Sequence, residues 1–307
     1  MDVRLLVDAP SSGERIDKYL TEQPALELSR SHIQKLIKED LLKVNGKAVK
    51  PNYVIKAGDE ILLSLQEAKP VVLEAQDIPL DILYEDEDLL IVNKPKGMVV
   101  HPAPGHDDQT LVNAIMYHCG DSLSGINGEI RPGIVHRIDK DTTGSLVICK
   151  NDKAHVSLAE QLKVHSITRK YRAIVYGVLK DDTGTICKTI GRDPKDRKKM
   201  ATGVPHGREA ITHYQVLERF KDYTYIECTL ETGRTHQIRV HMASIGYPVV
   251  GDPVYAGKRK APCDTQGQVL HAYVLGFQHP ETGEYLEVTA PLPEYFEALL
   301  ARLRARA

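Results

Sequence analysis

Residues 133–149 read GIVHRIDKDTTGSLVIC, a polar stretch bounded by glycines that runs into four apolar residues. The composition of 145–149 predicts a buried strand, and the Thr-Thr-Gly sequence at 142–144 predicts a turn before it. Asp139 lies in this loop between Arg137 and Lys140, whose charges favour the ionised carboxylate that a nucleophile or base requires. A charged surface turn with local Asp–Thr hydrogen bonds would explain the same residues. The rest of the sequence must therefore decide between a chemical and a structural interpretation.

From residue 80 onward, the chain alternates strand-like and helix-like segments. Strands are predicted at 89–93, 145–149, 171–176, 223–230 and 285–289, and helices at 154–165 and 294–305. Several strands follow one another without the crossover helix that a parallel pair needs, so we expect a mixed, largely antiparallel sheet. The predicted fold class is α+β, with helices flanking that sheet.

The first 66 residues predict a separate small αβ unit. Apolar residues in 16–20 and 30–38 recur at helical spacing, and Ser29 is the expected N-cap of the second helix. The Asn-Gly pair at 45–46 predicts a β-hairpin, and 61–65 predicts a further strand. Two short helices packed on a small sheet are therefore expected.

The net charge of -2 conceals an uneven distribution of charge. Residues 30–56 contain seven basic and two acidic side chains, whereas 77–88 contain six acidic side chains and no basic one. Phosphate binding depends on local Lys and Arg, so the overall charge does not exclude a nucleic acid as partner. A basic helix face alone is more often a solvated surface, but the lysines of the adjoining hairpin favour RNA binding. Arg30, Lys35 and Lys38 are the predicted RNA-binding residues of this unit.

No stretch approaches the roughly 20 apolar residues of a transmembrane helix, and the first residues lack the apolar region of a signal peptide. We therefore expect a cytoplasmic protein with no membrane partner. The sequence leaves the oligomeric state open, and a monomer is the expected state.

Two further segments are rich in polar donors. Residues 230–242, LETGRTHQIRVHM, follow a predicted strand through a glycine turn and suit the recognition of phosphate or carboxylate. Their histidines, His236 and His241, have no third ligand nearby, so we expect no metal site. Residues 188–199 hold six basic and two acidic side chains, a pattern that predicts an RNA contact or, equally, a solvated loop.

The N-terminal unit resembles the S4 RNA-binding domain in the runs ERIDKYL at 14–20, SRSHIQKLI at 29–37 and VNG at 44–46. The resemblance covers nearly the whole unit. It divides the chain into an S4-like domain at 12–66, a linker at 67–79 and a second domain at 80–307.

The second domain resembles the RluA/RluD type of ribosomal RNA pseudouridine synthase. The similar segments, which occur in the order expected of that family, are 84–102, 133–144, 167–177, 210–214, 230–242 and 248–255. The resemblance implies that residues 80–307 form a pseudouridine synthase catalytic domain.

The resemblance also implies roles for individual residues. Asp139 matches the catalytic aspartate, Arg239 the arginine that pairs with it, and Tyr171 the tyrosine that contacts the flipped base. Arg137 matches the arginine that helps to displace the target base, and with His136 it is expected to bind substrate. The family motif reads His-Arg-Leu-Asp, and the isoleucine found here is a conservative change at a packing position.

These roles imply an isomerase that converts specific uridines to pseudouridine, with large-subunit ribosomal RNA or a pre-ribosomal particle as its partner. The target base must leave the RNA helix and turn within a pocket, while Asp139 attacks covalently or removes a ribose proton; both routes stay open. No oxidation state changes, so no cofactor is expected. The alternatives are a non-catalytic RNA-binding or ribosome-assembly protein, and a hydrolase that uses Asp139 with His136.

Overall fold

The computed structural model describes residues 2–23, 26, 28, 30–64, 73–102, 106–120, 122–126, 131–196 and 198–306. The chain divides into two units, Met1–Val72 and Leu73–Ala307. The predicted N-cap Ser29 and residues 67–72 of the predicted linker lie outside the described residues. The domain boundaries at 12–66, 67–79 and 80–307 therefore stay predictions.

The first unit is a four-stranded antiparallel sheet covered by two helices. Its elements are β1 (Asp2–Leu6), α1 (Ile16–Thr21), α2 (Arg30–Lys38), β2 (Leu42–Val44), β3 (Lys47–Ala48) and β4 (Glu60–Ser64), in the sheet order β1-β4-β2-β3. The predicted helical stripe of α2 faces the core, with Ile33, Leu36 and Ile37 at most 7% exposed. Asn45 and Gly46 both have positive φ, as a two-residue hairpin turn requires. The predicted helices and hairpin are confirmed.

The second unit is built on one large sheet. Its strands are β5 (Ile82–Glu85), β6 (Leu89–Lys94), β7 (Thr143–Cys149), β8 (Thr168–Tyr176), β9 (Thr183–Cys187), β10 (Ile190–Arg192), β11 (Met200–Thr202), β12 (Ile211–Arg219), β13 (Tyr223–Leu230), β14 (Leu270–Gln278) and β15 (Tyr285–Thr289). Nine of them form a sheet in the order β5-β6-β7-β14-β8-β13-β12-β9, with β15 paired to β14. Only β7 and β14 run parallel among the described pairs of this sheet, so the predicted mixed sheet and α+β class are confirmed.

Helices cover both faces of this sheet. They are α3 (Leu111–Cys119), α4 (Asp152–Lys163), α5 (Gln237–Ser244) and α6 (Glu294–Arg304). Side chains alternate across β7, so Leu146 and Ile148 share a core with α3 and α5, whereas Val147 and Cys149 pack with α4 on the other face. Within the described ranges, no helix is long and apolar enough to cross a membrane.

The start of β7 differs from the sequence prediction. The Thr-Thr-Gly sequence was expected to form a turn, but Thr143 and Gly144 already belong to the strand and pair with β14. A Cβ on Gly144 would lie 2.2 Å from the carbonyl oxygen of Ala272, so only glycine permits this approach of the two strands. The loop that carries Asp139 is consequently anchored directly to the middle of the sheet.

Candidate active site

Asp139 and Arg239 meet across 100 residues of sequence. Arg239 Nη1 donates a hydrogen bond of 2.8 Å to Asp139 Oδ2, and the other carboxylate oxygen, Oδ1, lies 3.9 Å from His236 Nε2. The Asp139 side chain keeps 20% of its surface exposed, against 5% for Arg239. No residue in the described part of the chain donates a hydrogen bond to Oδ1. Arg239 thus orients the carboxylate and leaves one oxygen available to a substrate.

Asp252 holds Arg239 in place from the protein interior. Arg239 Nε and Nη2 donate to the two oxygens of Asp252 at 2.7 and 2.9 Å, the fork geometry of a strong Arg–carboxylate pair. The Asp252 side chain is fully buried and also accepts the backbone N–H groups of Val254 and Tyr255. Burial would lower the pKa of Arg239, but the hydrogen bonds and charges of Asp252 and Asp139 outweigh it and raise that pKa above its ordinary value. The guanidinium is therefore a permanent cation in a fixed position.

His236 and Tyr255 complete the polar side of the site. The Tyr255 hydroxyl oxygen accepts the Met200 N–H at 2.8 Å and lies 3.0 Å from His236 Nδ1, to which it can donate its own proton. When Tyr255 donates in this way, the imidazole proton lies on Nε2, the nitrogen nearer to Asp139. Burial lowers the pKa of His236 against the opposing charge of Asp139, so the ring is neutral at neutral pH. His236 is consequently a polar neighbour of Asp139 and not its counter-ion.

A small open cleft lies beside these groups. Asp139, Tyr171 and Arg239 all line it, and its apolar walls are contributed by Ile138, Leu230 and Leu270. Tyr171 projects from β8 and is 9% exposed, and burial raises the pKa of its phenol, which therefore stays protonated and can donate a hydrogen bond at neutral pH. The structure thus brings the three predicted catalytic residues to one cleft, which is lined by more polar than apolar side chains.

The two predicted substrate-binding residues of the loop point in different directions. Arg137 is exposed and lines the cleft, with Nη1 3.2 Å from His101 Nε2. His136 does not line the cleft, because its Nε2 accepts the backbone N–H of Val147 at 3.1 Å. Burial lowers the pKa of His136 to about 4, so the ring remains a neutral acceptor. His136 therefore fixes the loop to β7 in place of the predicted contact with substrate.

Lys94 contacts the backbone of the loop that carries Asp139. The sequence analysis did not identify this residue as part of the site. Its side chain is 1% exposed, and Nζ donates to the carbonyl oxygens of Pro95, Met98 and Lys140 at 2.8, 2.8 and 3.0 Å. Burial lowers the pKa of Lys94 to about 7, but three acceptors match the three protons of its ammonium group. Lysine is almost never this buried unless its charge is satisfied. The only sequence signal is a lysine at the end of a strand whose first four residues are apolar.

His271 ties the start of β7 to β14 in the sheet. The Thr143 hydroxyl donates to His271 Nδ1 at 2.8 Å, and His271 Nε2 donates to the Ala290 carbonyl at 3.2 Å. The ring is fully buried, and this burial lowers the pKa of His271 to about 4. The neutral ring is therefore part of the structure that holds the Asp139 loop.

We expect acid to destabilise the second unit partly through His271. Its folded-state pKa lies below the ordinary 6.5, so between pH 6.5 and about 4 the unfolded chain binds a proton that the folded chain does not. The contribution of the neutral His271 ring to the free energy of unfolding is thus fully present above pH 6.5. It decreases as pH falls through this window, by up to about 1.4 kcal/mol per pH unit. Urea unfolding at pH 7 and pH 5 should show a smaller pH dependence for His271→Gln, which can keep both hydrogen bonds, than for wild type. The exposed His106→Gln is the control, and equal dependence in all three proteins would contradict the assignment.

The three predicted RNA-binding residues of the first unit all lie on the exposed side of α2. Arg30 is also engaged in the fold, since its guanidinium lies 2.9 Å from the fully buried carboxylate of Asp17, which pairs with Arg15 as well. Lys35 lies 3.9 Å from Glu39, a weak exposed contact. The lysines are therefore freer than Arg30 to engage a partner.

One group of side chains has the composition of a metal site. Asp86, Asp88 and His279 place ligand atoms within 4.8 Å of one another. Asp86 already accepts hydrogen bonds from Tyr84, His279 and the backbone of Asp88 and Leu89. This network fixes the turn between β5 and β6, so the cluster is explained by the fold.

Comparison with known proteins identifies the family. The model of the RNA pseudouridylate synthase family matches residues 88–244, and that of the S4 domain matches residues 14–61. The uncharacterized RNA pseudouridine synthase YlyB of Bacillus subtilis is 56% identical over 292 residues, 95% of each chain. Ribosomal large subunit pseudouridine synthase D of Pseudomonas aeruginosa is 45% identical over 303 residues, 95% of this chain and 92% of the relative. The structure of Human RNA Pseudouridylate Synthase Domain Containing 1 covers 78% of this chain and 98% of its own, with a TM-score of 0.56 and 25% identity.

These similarities confirm the predicted enzyme class and the predicted S4 domain. The matched region 88–244 contains Asp139, Tyr171 and Arg239, the residues that line the cleft. The cleft and the S4 domain therefore belong to one RNA-modifying isomerase, and the chain is a member of the RNA pseudouridylate synthase family.

Proposed function

We propose that this enzyme converts specific uridines of large-subunit ribosomal RNA to pseudouridine, and that it acts in the cytoplasm as a monomer. The observation that carries the proposal is the carboxylate of Asp139, held by Arg239 at the edge of a cleft that also contains Tyr171. The name of the Pseudomonas aeruginosa relative, a ribosomal large subunit pseudouridine synthase, supports the choice of RNA.

Asp139 is the proposed catalytic group. Its Oδ1 bonds to C1′ as the bond to N1 breaks, or it removes the proton of C2′ to give a glycal. In the first route the Asp139–C1′ bond breaks as C5 bonds to C1′. In the second, the C1′–N1 bond breaks as the glycal forms, and Asp139 returns the proton to C2′ as C5 bonds to C1′. In both routes the uracil turns, the hydrogen of C5 leaves to solvent and N1 gains a proton. The product is an isomer of the substrate, so we propose that the reaction requires no cofactor. The lost hydrogen provides a direct assay.

Arg137 is proposed to help displace the target base from the RNA helix, and Tyr171 to bind that base in the cleft. Unstacking a nucleotide costs a few kcal/mol, and the exposed guanidinium of Arg137 can occupy the vacated space in the RNA helix. The buried phenol of Tyr171 offers the extracted ring an aromatic contact and a hydrogen-bond donor inside the cleft. Arg239 remains paired with Asp139 throughout.

The S4 domain is the proposed source of affinity. The exposed lysines of α2, Lys35 and Lys38, together with Arg30, present positive charge suited to RNA phosphates. Such contacts fix the position of the RNA without reading its sequence, so the choice of uridine would depend on RNA shape and single-stranded loops.

The experiment is tritium release from RNA that carries 5-tritiated uridine. Purified enzyme is incubated with large-subunit ribosomal RNA, as transcript and as assembled particles, and with small-subunit RNA and transfer RNA as controls. Release from the large-subunit substrates alone supports the proposal. Release confined to a control RNA would overturn the substrate, and no release from any of the RNAs would overturn the activity.

A further inference from the structure

The strands β10 and β11 form a small hairpin of their own beside the large sheet. Arg192 pairs with Met200 at the end of the hairpin where the two strands are connected. The connection, which we call the tip, comprises 193–199, of which residue 197 lies outside the described residues. This tip is the centre of the basic segment that the sequence left as an RNA contact or a solvated loop.

The acidic side chains of the tip accept hydrogen bonds from backbone N–H groups of the tip. Asp193 Oδ1 accepts the backbone N–H groups of Lys195 and Asp196, and Asp196 Oδ1 accepts that of Lys198. These bonds hold the pKa of Asp193 below its ordinary value, so its carboxylate stays charged and stays turned toward the backbone. Lys195 and Lys198 are exposed, and neither pairs with a carboxylate in the described part of the chain. Among its described residues, the tip thus presents two lysines that have no carboxylate partner there.

The hairpin contacts the active site at Met200, the first residue of β11 after the tip. Met200 donates its backbone N–H to the Tyr255 hydroxyl at 2.8 Å, and Tyr255 in turn contacts His236 beside Asp139. Lys198 is two residues from Met200, so their Cα atoms are at most about 7 Å apart. Lys198 is therefore linked to the catalytic carboxylate through Met200, Tyr255 and His236.

We propose that this basic tip, residues Lys195 and Lys198, binds backbone phosphates of the substrate RNA immediately beside the flipped uridine. The inference rests on the proposed function, because the RNA strand that delivers a base to Asp139 must pass the residues adjoining the cleft. These phosphate contacts in the catalytic unit are separate from those of the S4 domain. They fix the position of the RNA strand at the nucleotide whose base is flipped out. An acidic protein surface would match the charge as well, and the experiment separates the two partners.

The test compares the salt dependence of RNA binding and the kinetics of tritium release. Each lost phosphate contact lowers the slope of log affinity against log salt by about 1, so Lys195→Ala/Lys198→Ala should lower it by about 2. The KM of this variant should rise severalfold with kcat within about twofold of wild type. The charge-retaining pair Lys195→Arg/Lys198→Arg should keep the wild-type slope.

The control is Lys153→Ala/Lys163→Ala on α4, which packs on the face of the sheet opposite to Tyr171. This variant should keep the wild-type slope and KM. An unchanged slope in Lys195→Ala/Lys198→Ala, with normal tritium release by wild type, would overturn the role of the tip and favour a protein partner for it. Absence of tritium release by wild type would overturn the proposed function itself, so the two failures are distinguishable.

Discussion

Asp139→Asn is expected to release no measurable tritium from 5-tritiated uridine RNA, while its affinity for that RNA stays within a few-fold of wild type. Asparagine keeps the shape of the side chain but removes the charge and the basic oxygen that attack or proton removal requires. Loss of such a group lowers kcat by roughly 10⁴-fold or more in enzymes with a single catalytic nucleophile or base. RNA affinity should persist because it depends on the Lys and Arg contacts.

Asp141→Asn is the matched control for this prediction. It makes the same chemical change two residues later in the same loop, and Asp141 does not line the cleft. Its kcat should remain within about tenfold of wild type. Near-normal release by Asp139→Asn, or equal losses in both variants, would contradict the role of Asp139.

Asp252→Asn should lower both stability and turnover, although Asp252 does not line the cleft. The change leaves the buried Arg239 with Asp139 as its only remaining carboxylate partner among the described residues. Breaking one side of a buried ion pair costs about 3–5 kcal/mol of unfolding free energy. The guanidinium also loses the fork that aims it at Asp139, and a displacement of about 1 Å in a catalytic group can cost roughly 10²-fold in rate.

Urea unfolding measures the first effect, and single-turnover tritium release at a temperature where the variant is folded measures the second. The exposed Asp181→Asn should change the unfolding free energy by less than about 0.5 kcal/mol and leave the rate unaltered. An Asp252→Asn protein that is folded, as stable as wild type and equally fast would show that Arg239 does not need this support.

Local sequence patterns predicted the helices and hairpin of the first unit and about half of the helices and strands of the second. The apolar stripe of α2 and the Asn-Gly turn each act over a few residues, so their physics is visible without the rest of the chain. The central strand β14 was missed because His271, Tyr273 and Gly276 interrupt its apolar residues, so it lacks the continuous apolar run that identified the buried strand β7. Helix α5 was missed because Gln237, Arg239 and His241 face inward, which hides the usual apolar stripe.

The site was predictable only in part. Family resemblance singled out Asp139, Tyr171 and Arg239, but their meeting in one cleft depends on a contact across 100 residues that no local pattern encodes. Buried charged residues such as Lys94 and Asp252 look like surface residues in a sequence, since burial of a charge depends on partners supplied by distant segments. The same reason explains His136, whose hydrogen bond to β7 could not be read from its place beside Arg137.

Mapping of pseudouridine in ribosomal RNA tests the proposed function most directly. RNA is compared from cells that lack the gene and from the same cells supplied with wild-type protein or with Asp139→Asn at equal level. We expect one or more large-subunit pseudouridines that are present with wild type and absent both without the gene and with Asp139→Asn. Identical maps in all three strains would contradict the proposed function.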